Sequence, residues 1–452
     1  MICWPGLLAP ISGAGRPHPS GILKVFFLTQ FSDLGLAEPI LRAISAQGYE
    51  TPTPIQQQVI PAMMAGNDIL GTAQTGTGKT AAFVLPLLNT LAKSNRRPDA
   101  KACRALVLAP TRELAAQIVE SVRAYSAEMR TSVTMIIGGM KISKQVRAMQ
   151  RGMDIVVATP GRLLDLQSQN AIRLDQVETV VIDEADHMMD MGFLPQIRKV
   201  LAQLPEKRQT VLLSATMPKD IRALADKFLD NPVNIAVAAE SRPVERIDQS
   251  VRFLTPNQKR DALTEILSAD NVDSAIVFTR TKRGADRVSR HLEDAGVASA
   301  AIHGNKSQSQ RTRTLDAFKG RQLRVLVATD IAARGIDIDK VSHVVNFELP
   351  NVPESYVHRI GRTARAGESG TAITLCAPDE RKLLRDIEKV IGNRLPGSDA
   401  AGPDESQGEK AGRSFRPEKD GQPRRRPRRR GPRGQGGAKG HRKGQGQSSQ
   451  AS

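Results

Sequence analysis

Two short segments carry the residue types needed to bind and cleave a phosphate anhydride. Residues 73–80 read A-Q-T-G-T-G-K-T, a glycine-rich turn followed by Lys79 and the hydroxyl of Thr80. The amides of such a turn point at phosphate oxygens, the lysine adds positive charge, and the hydroxyl suits Mg²⁺. Residues 180–186 read V-V-I-D-E-A-D, an apolar run ending in carboxylates that can hold a metal ion and orient a water. The two segments together predict binding and hydrolysis of a nucleoside triphosphate.

The elements that position these segments are predicted by short apolar runs without polar alternation. Such runs are typical of buried parallel strands, and amphipathic segments of helix length separate them. The runs form two series, which predict two α/β domains joined near Ala236–Arg246. The first series is 104–110, 133–139, 154–160, 179–184 and 210–216, and the second is 274–280, 299–304, 324–330, 343–349 and 370–376.

Polar motifs follow eight of these runs. Parallel sheets bind ligands beyond the carboxyl ends of their strands, so both domains are expected to present one edge to a shared site. The motifs are Pro110-Thr111-Arg112, Gly138-Gly139, Thr159-Pro160-Gly161-Arg162, Asp183-Glu184, Ser214-Ala215-Thr216, Thr279-Arg280, His303-Gly304 and Thr329-Asp330.

Composition limits the class of partner and the location. The 452-residue chain is long enough for two domains with tails. Its formal charge of +18 is concentrated in residues 421–452, which hold ten Lys or Arg and no acid. That excess favours a polyanionic partner, although a solvated tail without a partner would look the same. Aromatic residues form 3% of the chain, which favours backbone contacts over base stacking. No membrane span, export signal or metal-binding cysteine spacing is apparent, so we expect a soluble cytoplasmic protein.

The two ends of the chain lie outside the α/β pattern. We expect residues 1–28 to be a disordered extension, or a start assigned too early with Leu28 as the true initiator, because the domain-like pattern begins at Phe31. Intact-mass measurement of the native protein would decide this. The segment after Pro396 is rich in Gly, Pro, Gln, Ser and Arg, which predicts disorder.

Taken together, these motifs resemble the DEAD-box ATP-dependent RNA helicases over roughly residues 31–392, and most closely their bacterial RhlE branch. The resemblance implies an α/β fold of two RecA-like parallel-sheet domains in tandem, 29–237 and 247–396, with a linker at 238–246 and a basic RNA-binding tail at 397–452. It also implies ATP and Mg²⁺ as ligands, RNA as the partner, and a monomer. Ribosomal precursors and RNA-decay complexes are both compatible with it.

For the nucleotide, G-Y-E-T-P-T-P-I-Q at 48–56 resembles the family's Q motif. The amide of Gln56 would then pair with the adenine edge, Tyr49 would stack on the ring and Phe31 would support both. Taken alone, this segment reads as an ordinary helix N-terminus with Gln56 on a solvated face. The ATP-binding set implied is Phe31, Tyr49, Gln56, Ala73 (where a glycine is usual), Gln74, Thr75, Gly76, Thr77, Gly78, Lys79, Thr80, Gly335 and Asp337.

For catalysis, H-R-I-G-R-T-A-R-A-G at 358–367 resembles motif VI, in which Arg362 and Arg365 would act as arginine fingers. The alternatives are a solvated arginine-rich helix and, for Asp183-Glu184, a helix N-cap with a first-turn acid. Two departures stand out: Ala364 replaces a frequent glycine, and His187 follows D-E-A-D where relatives often carry Arg or Lys. The catalytic set implied is Lys79, Asp183, Glu184, Arg362 and Arg365, with Mg²⁺ held by Thr80 and, through water, by Asp183.

For RNA, the resemblance implies sequence-independent backbone contacts, with discrimination from DNA by the 2′-hydroxyl. Ser214 and Thr216 would couple the ATP state to domain closure. An ATP-gated RNA clamp or chaperone, and a DNA helicase of the same superfamily, are the alternatives; the intact catalytic residues disfavour the first and the Q motif the second. The RNA-binding set implied is Arg112, Gly139, Thr159, Gly161, Arg162, Arg280, Gln308, Arg311 and Thr329.

Overall fold

The structure is a computed structural model that describes most of the chain between Gln30 and Ser398. The residues left out inside that span are Thr75, Asn95, 238–246, 334, 335, 337, 339, 340 and 365–369. The predicted extension, linker and nearly all of the predicted tail therefore lie outside the described residues. Within the described part, no helix is both long and apolar enough to cross a membrane.

Two parallel sheets organise the described residues, and both belong to one compact unit of the chain. We call residues 30–237 the first lobe and residues 247–398 the second lobe. The first lobe contains β1 (Ile69–Thr72), β2 (Cys103–Leu108), β3 (Val133–Ile136), β4 (Met153–Ala158), β5 (Thr179–Ile182), β6 (Gln209–Ser214) and β7 (Val233–Ala236). Its helices are α1 (Glu38–Ala46), α2 (Pro54–Met64), α3 (Lys79–Ala92), α4 (Arg112–Tyr125), α5 (Ile142–Met149), α6 (Pro160–Ser168), α7 (Ala185–Asp190), α8 (Leu194–Leu201) and α9 (Lys219–Phe228).

The first sheet has the strand order β3-β4-β2-β5-β6-β1-β7, and every neighbouring pair is parallel. Successive side chains of a strand point to opposite faces, so both faces of a covered sheet must be apolar. Along β6, Val211 and Leu213 pack into one hydrophobic cluster and Leu212 into another, on the opposite face. This two-sided burial fixes the register of the central strands.

The second lobe repeats this plan with six strands. They are β8 (Ile247–Phe253), β9 (Ala275–Thr279), β10 (Ser299–Ile302), β11 (Val325–Thr329), β12 (His343–Asn346) and β13 (Gly370–Cys376). Its helices are α10 (Gln258–Ser268), α11 (Lys282–Asp294), α12 (Gln308–Lys319), α13 (Asp330–Ala333), α14 (Glu354–Ile360) and α15 (Arg381–Ile391). The order is β10-β11-β9-β12-β13-β8, again parallel throughout.

The predicted strands are confirmed. Each of the ten apolar runs overlaps a strand, with starts that agree to within one residue, and the polar motifs lie at or shortly after the carboxyl ends of these strands. Three further strands, β1, β7 and β8, were not predicted by the apolar runs. The two-domain α/β architecture expected from the sequence is therefore the architecture observed.

Candidate functional site

The glycine-rich turn lies between the end of β1 and the start of α3. Gly76 and Gly78 have φ angles of +83° and +86°, which side-chain-bearing residues rarely adopt. A Cβ atom on Gly78 would also collide with the Gln56 amide. The backbone is thereby held close to the N-terminus of α3, whose free amides favour an anion. Thr75 lies outside the described residues.

Lys79 is folded back onto this turn. Its Nζ donates to the carbonyl of Ala73 at 2.9 Å, and the side chain is buried. The Thr77 hydroxyl bonds to the carbonyl of Gln74 at 2.8 Å, which closes the turn internally. Thr80 is half-buried in the first turn of α3. The cation and the hydroxyl expected for phosphate and metal therefore lie at the same end of α3.

The Q-motif residues contact the turn directly. Gln56 is 4% exposed; its Nε2 donates to the Gly78 carbonyl at 3.1 Å, and its Oε1 accepts from the Thr53 amide at 2.9 Å. The Thr53 hydroxyl donates to the Thr77 carbonyl at 2.8 Å. The solvated orientation of Gln56 is thus excluded. Both of its amide atoms are engaged within the protein, so adenine recognition requires an exchange of these partners.

Tyr49 and Phe31 form an aromatic platform beside the Q motif. Their rings stack with centroids 6.1 Å apart at 24°, and the Tyr49 hydroxyl hydrogen-bonds the Tyr125 hydroxyl at 2.7 Å. Phe31 is buried, whereas Tyr49 is 38% exposed. This arrangement matches a supporting role for Phe31 and leaves Tyr49 as the accessible ring.

The carboxylates follow β5. Asp183 is 2% exposed, and its Oδ1 accepts from the Glu184 amide at 3.0 Å. Burial raises the pKa of Asp183 to about 7, with Lys79 opposing and Glu184 adding to the shift. Burial also acts to raise the pKa of Glu184, but the hydrogen bond and charge of His187, with Lys79 and Arg362, bring it to about 2. Asp183 therefore lacks a sufficient counter-charge, whereas Glu184 is a stable carboxylate.

Glu184 occupies an unusual backbone position. It is the N-cap residue of α7 with a φ of +53°, but its side chain does not cap the helix. Instead its Oε2 lies 3.0 Å from Nδ1 of His187. The alternative of Asp183-Glu184 as a helix N-cap with a first-turn acid is therefore wrong: Glu184 is the N-cap residue without a side-chain cap, and the first-turn acid is Asp186.

The small polar segment after β6 is tied to the last carboxylate of D-E-A-D. The hydroxyl of Ser214 accepts from the Asp186 amide at 3.2 Å. Asp186 Oδ2 accepts from the amide and hydroxyl of Thr216 at 2.8 and 2.9 Å. Ser214 and Thr216 are thus joined to the catalytic segment through Asp186, a residue outside the predicted set.

One arginine of motif VI lines the same cavity as Glu184. Arg362 of the second lobe and Glu184 and Thr216 of the first lobe line one cavity of about 460 Å³. Arg362 is 8% exposed, and its Nη1 donates to the Ile336 carbonyl at 2.9 Å. Two residues later, Ala364 has a φ of +55°, in the left-handed region where glycine is favoured. Arg365, Gly335 and Asp337 lie outside the described residues.

Arg359, a second arginine of motif VI, does not line this cavity. Arg359 is 1% exposed and binds both carboxylate oxygens of Asp330, at 2.6 and 2.8 Å. It also lies over the Phe278 ring, 5.0 Å from its centroid. Arg359 therefore anchors α14 to the sheet. The alternative of a solvated arginine-rich helix is wrong for Arg359 and Arg362.

A second set of predicted residues forms a basic groove. It has a volume of about 430 Å³, and Arg112, Thr159, Gly161, Arg162 and Arg311 line it together with Gly304. Burial lowers the pKa of the Arg112 guanidinium; Glu113 opposes this, and Arg311 and Arg162 lower it further. Three guanidinium groups thus converge on one groove, an arrangement that favours a phosphate backbone.

A wider cavity of about 930 Å³ adjoins the same residues. Arg112, Gly139 and Gln308 line it. A Cβ on Gly139 would collide with the Arg112 guanidinium, which explains the glycine there. Arg280 and Thr329 line neither cavity. Arg280 is paired instead with Glu380 at 3.2 Å, and Thr329 is buried at the end of β11.

An ion pair that the sequence did not reveal joins the lobes beside this groove. Glu113 Oε1 accepts from Nε of Arg311 at 2.7 Å and from Nε2 of Gln308 at 3.2 Å. The side chains of Glu113 and Arg311 are only 5% and 8% exposed. The one available signal was an acid directly after Arg112, within an otherwise cation-rich motif. The pairing means that two predicted RNA-binding side chains also hold the lobes together.

No group of three or more His, Cys, Asp or Glu suited to a metal ion occurs among the described residues. The predicted Mg²⁺ site does not require such a group, since Mg²⁺ in nucleotide sites takes one or two protein ligands together with phosphates and waters. The buried Asp183 carboxyl, with its raised pKa, is the group there whose charge a cation would stabilise.

Comparisons with known proteins agree on one family. The model described as DEAD/DEAH box helicase matches residues 53–224, and the model described as helicase conserved C-terminal domain matches residues 258–367. DEAD-box ATP-dependent RNA helicase CshA of Bacillus subtilis (strain 168) is 44% identical over 365 residues, covering 81% of this chain and 73% of that protein. ATP-dependent RNA helicase CshA of Listeria monocytogenes is also 44% identical, over 369 residues, covering 81% of this chain and 70% of that protein.

Among solved structures, Dbp5 of S. cerevisiae bound to RNA and ADP BeF3 is similar to this chain. The TM-score is 0.72 with 32% sequence identity, and the match covers 82% of this chain and 97% of that chain. The similarity therefore extends over both lobes.

Proposed function

The chain belongs to the DEAD-box ATP-dependent RNA helicases, and from this premise we propose how its own residues share the work. It hydrolyses ATP in an RNA-stimulated reaction that is coupled to cleft closure. The result is local, non-processive unwinding of short RNA duplexes or remodelling of RNA–protein complexes. The observation that carries the residue roles is the cavity in which Arg362 meets Glu184 and Thr216, because one lobe supplies the carboxylate and the other the cation.

The triphosphate binds at the N-terminus of α3. The amides after Gly76 and Gly78 and the ammonium of Lys79 neutralise its phosphates, and Lys79 leaves the Ala73 carbonyl to do so. Tyr49 stacks on the adenine, and Gln56 exchanges its bonds to Gly78 and Thr53 for the adenine edge. Nucleotide binding therefore changes the contacts of the turn itself.

Thr80 and Asp183 would hold Mg²⁺, and the ion would supply charge neutralisation at the phosphates. Glu184 orients or deprotonates the attacking water; the hydrogen bond and charge of His187, with Lys79 and Arg362, lower its pKa against the effect of burial and keep it a carboxylate. Arg362, together with Arg365, stabilises the charge that develops on the transferred phosphoryl group.

RNA lies across both lobes in the basic groove, held by Arg112 and Arg162 from the first lobe and Arg311 from the second. These side chains contact phosphates and read no base edges, so binding is independent of sequence. ATP and RNA both favour the closed cleft, which makes their binding mutually cooperative. The bonds from Asp186 to Ser214 and Thr216 carry this coupling to the catalytic segment.

The assignment to the RhlE branch stays a prediction; the curated relatives matched here carry the name CshA. Cytoplasmic location, a monomeric state, and ribosomal precursors or RNA-decay complexes as targets are likewise predictions. The ten cations of residues 421–452 support a role for the tail in tethering the enzyme to structured RNA.

ATPase assays with poly-U RNA, with single-stranded DNA of equal length and without nucleic acid test the proposal. We expect RNA to stimulate the ATPase and single-stranded DNA not to. Lys79→Ala should lose nucleotide binding or turnover. Glu184→Gln should lower kcat by about 10²–10⁴-fold and release RNA slowly in ATP, because binding survives without hydrolysis. Wild-type turnover in Lys79→Ala would overturn the phosphate assignment, and fast RNA release by Glu184→Gln would overturn the role of Glu184.

A further inference from the structure

His187 makes a directed contact with the carboxylate assigned to water activation. Its Nδ1 lies 3.0 Å from Glu184 Oε2, and the two side chains are only 8% and 12% exposed. Because Glu184 is a carboxylate and can only accept, Nδ1 must carry the hydrogen. The contact is therefore a charge-assisted hydrogen bond with a fixed direction.

This bond leaves the two carboxylate oxygens of Glu184 in different situations. Oε2 accepts from His187, whereas within the described part of the chain no side chain donates to Oε1. The far nitrogen of His187, Nε2, is buried and has no hydrogen-bond partner among the described residues. The imidazole thus makes a single side-chain hydrogen bond, and that bond goes to Glu184.

The backbone cannot orient the Glu184 side chain by itself. Glu184 sits at a φ of +53° as the N-cap of a six-residue helix, and its side chain makes no capping bond. A glutamate has three rotatable side-chain bonds, so an unheld carboxylate would sample several positions. Positioning matters here, because displacing a reacting group by about 1 Å can cost on the order of 100-fold in rate.

We propose that His187 is a positioning residue for ATP hydrolysis, which fixes Oε2 of Glu184 so that Oε1 faces the attacking water. The proposal rests on the role of Glu184 given above. His187 lines the same cavity as Glu184 and Arg362, and the proposed effect on the reaction is exerted through Glu184. It gives a function to the residue after D-E-A-D, which departs from the Arg or Lys frequent in the family.

Two variants, His187→Asn and His187→Gln, distinguish the effect of the hydrogen bond to Glu184 from the effect of side-chain packing. Asparagine places its amide nitrogen near the position of Nδ1, and glutamine places it near Nε2. We expect His187→Gln to lower kcat by about 10–100-fold with the KM for ATP unchanged within about twofold. His187→Asn should retain kcat within about threefold, because the donor to Oε2 is kept. Equal losses in both variants, or wild-type kcat in His187→Gln, would overturn the proposal.

The second measurement is a double-mutant cycle in the full-length chain. Single-turnover hydrolysis of ATP at saturating poly-U RNA is compared for His187→Gln, Glu184→Gln and the double variant. If His187 acts through Glu184, His187→Gln slows the Glu184→Gln enzyme by less than about twofold. An undiminished effect in that background refutes the positioning role. Wild-type rates in Glu184→Gln alone would instead refute the role of Glu184, so the two failures are distinguishable.

Discussion

The nucleotide-free protein should become more stable when Asp183 is replaced by asparagine. Asp183 is 2% exposed, and burial raises the pKa of its carboxyl from 3.8 to about 7 in spite of the nearby charge of Lys79. The charged form of Asp183 therefore opposes folding. Asparagine has the same shape, remains neutral, and keeps an oxygen that can accept from the Glu184 amide.

The size and pH dependence of this effect follow from the shift. Below about pH 4 the carboxyl is protonated in both the folded and the unfolded chain, so the substitution changes little. Between about pH 4 and 7 the unfolded chain ionises first, and the folded wild type loses stability as the pH rises. With each pKa unit worth about 1.4 kcal/mol, Asp183→Asn stabilises the fold by about 2 kcal/mol at pH 5 and about 4 kcal/mol at pH 8.

Differential scanning calorimetry without nucleotide or Mg²⁺ measures this difference, and it resolves the lobes if they unfold separately. For a lobe of about 200 residues, 1 kcal/mol shifts Tm by about 2–4 °C, so we expect a rise of roughly 8–16 °C at pH 8 and about half as much at pH 5. Asp226→Asn, at an exposed position of α9, is the control and should stay within about 0.5 kcal/mol. Equal shifts at both pH values, or destabilisation at pH 8, would refute the reasoning.

Three other predictions concern the cleft and the tail. Arg311→Ala leaves the buried Glu113 without its counter-charge, so the RNA concentration for half-maximal ATPase should rise more than about tenfold. The control Arg287→Ala, at an exposed position of α11, should change it less than about threefold, and similar values for both would contradict the inter-lobe pairing. Gln56→Ala should relax the preference for ATP over GTP in steady-state kinetics, and unchanged selectivity would remove Gln56 from adenine recognition. If the tail contacts six phosphates, raising the salt from about 50 to 200 mM should weaken its contribution to RNA affinity a few hundred-fold. Truncation after Pro396 should remove this salt-dependent contribution, and an unchanged RNA dependence of the ATPase would contradict the tether.

The sequence predicted the central strands because they are buried on both faces and contain few polar residues. Two of the strands it missed, β7 and β8, are edge strands in which polar residues interrupt the apolar ones: β7 reads V-N-I-A and β8 reads I-D-Q-S-V-R-F. β1 is central, but Gly71 and Thr72 leave it only two consecutive residues with large apolar side chains, Ile69 and Leu70. The apolar runs therefore report continuous stretches of apolar residues, and a strand without such a stretch is missed.

The candidate site was predictable where chemistry is local in sequence. The turn at 73–80, the carboxylates after β5 and the strand-end motifs were all located in this way. Contacts between distant segments were not, because nothing in the sequence states that Glu113 meets Arg311, 198 residues away. The bond from His187 to Glu184 spans three residues, yet it depends on the left-handed backbone at Glu184, which residue types alone do not specify.

The left-handed conformation of Ala364 has an evolutionary consequence. An alanine in that region costs about 1–2 kcal/mol that a glycine would not, and the position lies two residues beyond Arg362. Alanine and glycine codons differ by one base, so a single mutation, Ala364→Gly, would remove this backbone strain and raise the thermal stability. The same mutation would loosen the segment that carries the guanidinium. A lineage adapting to heat and one adapting to fast turnover would therefore meet opposite selection at this codon.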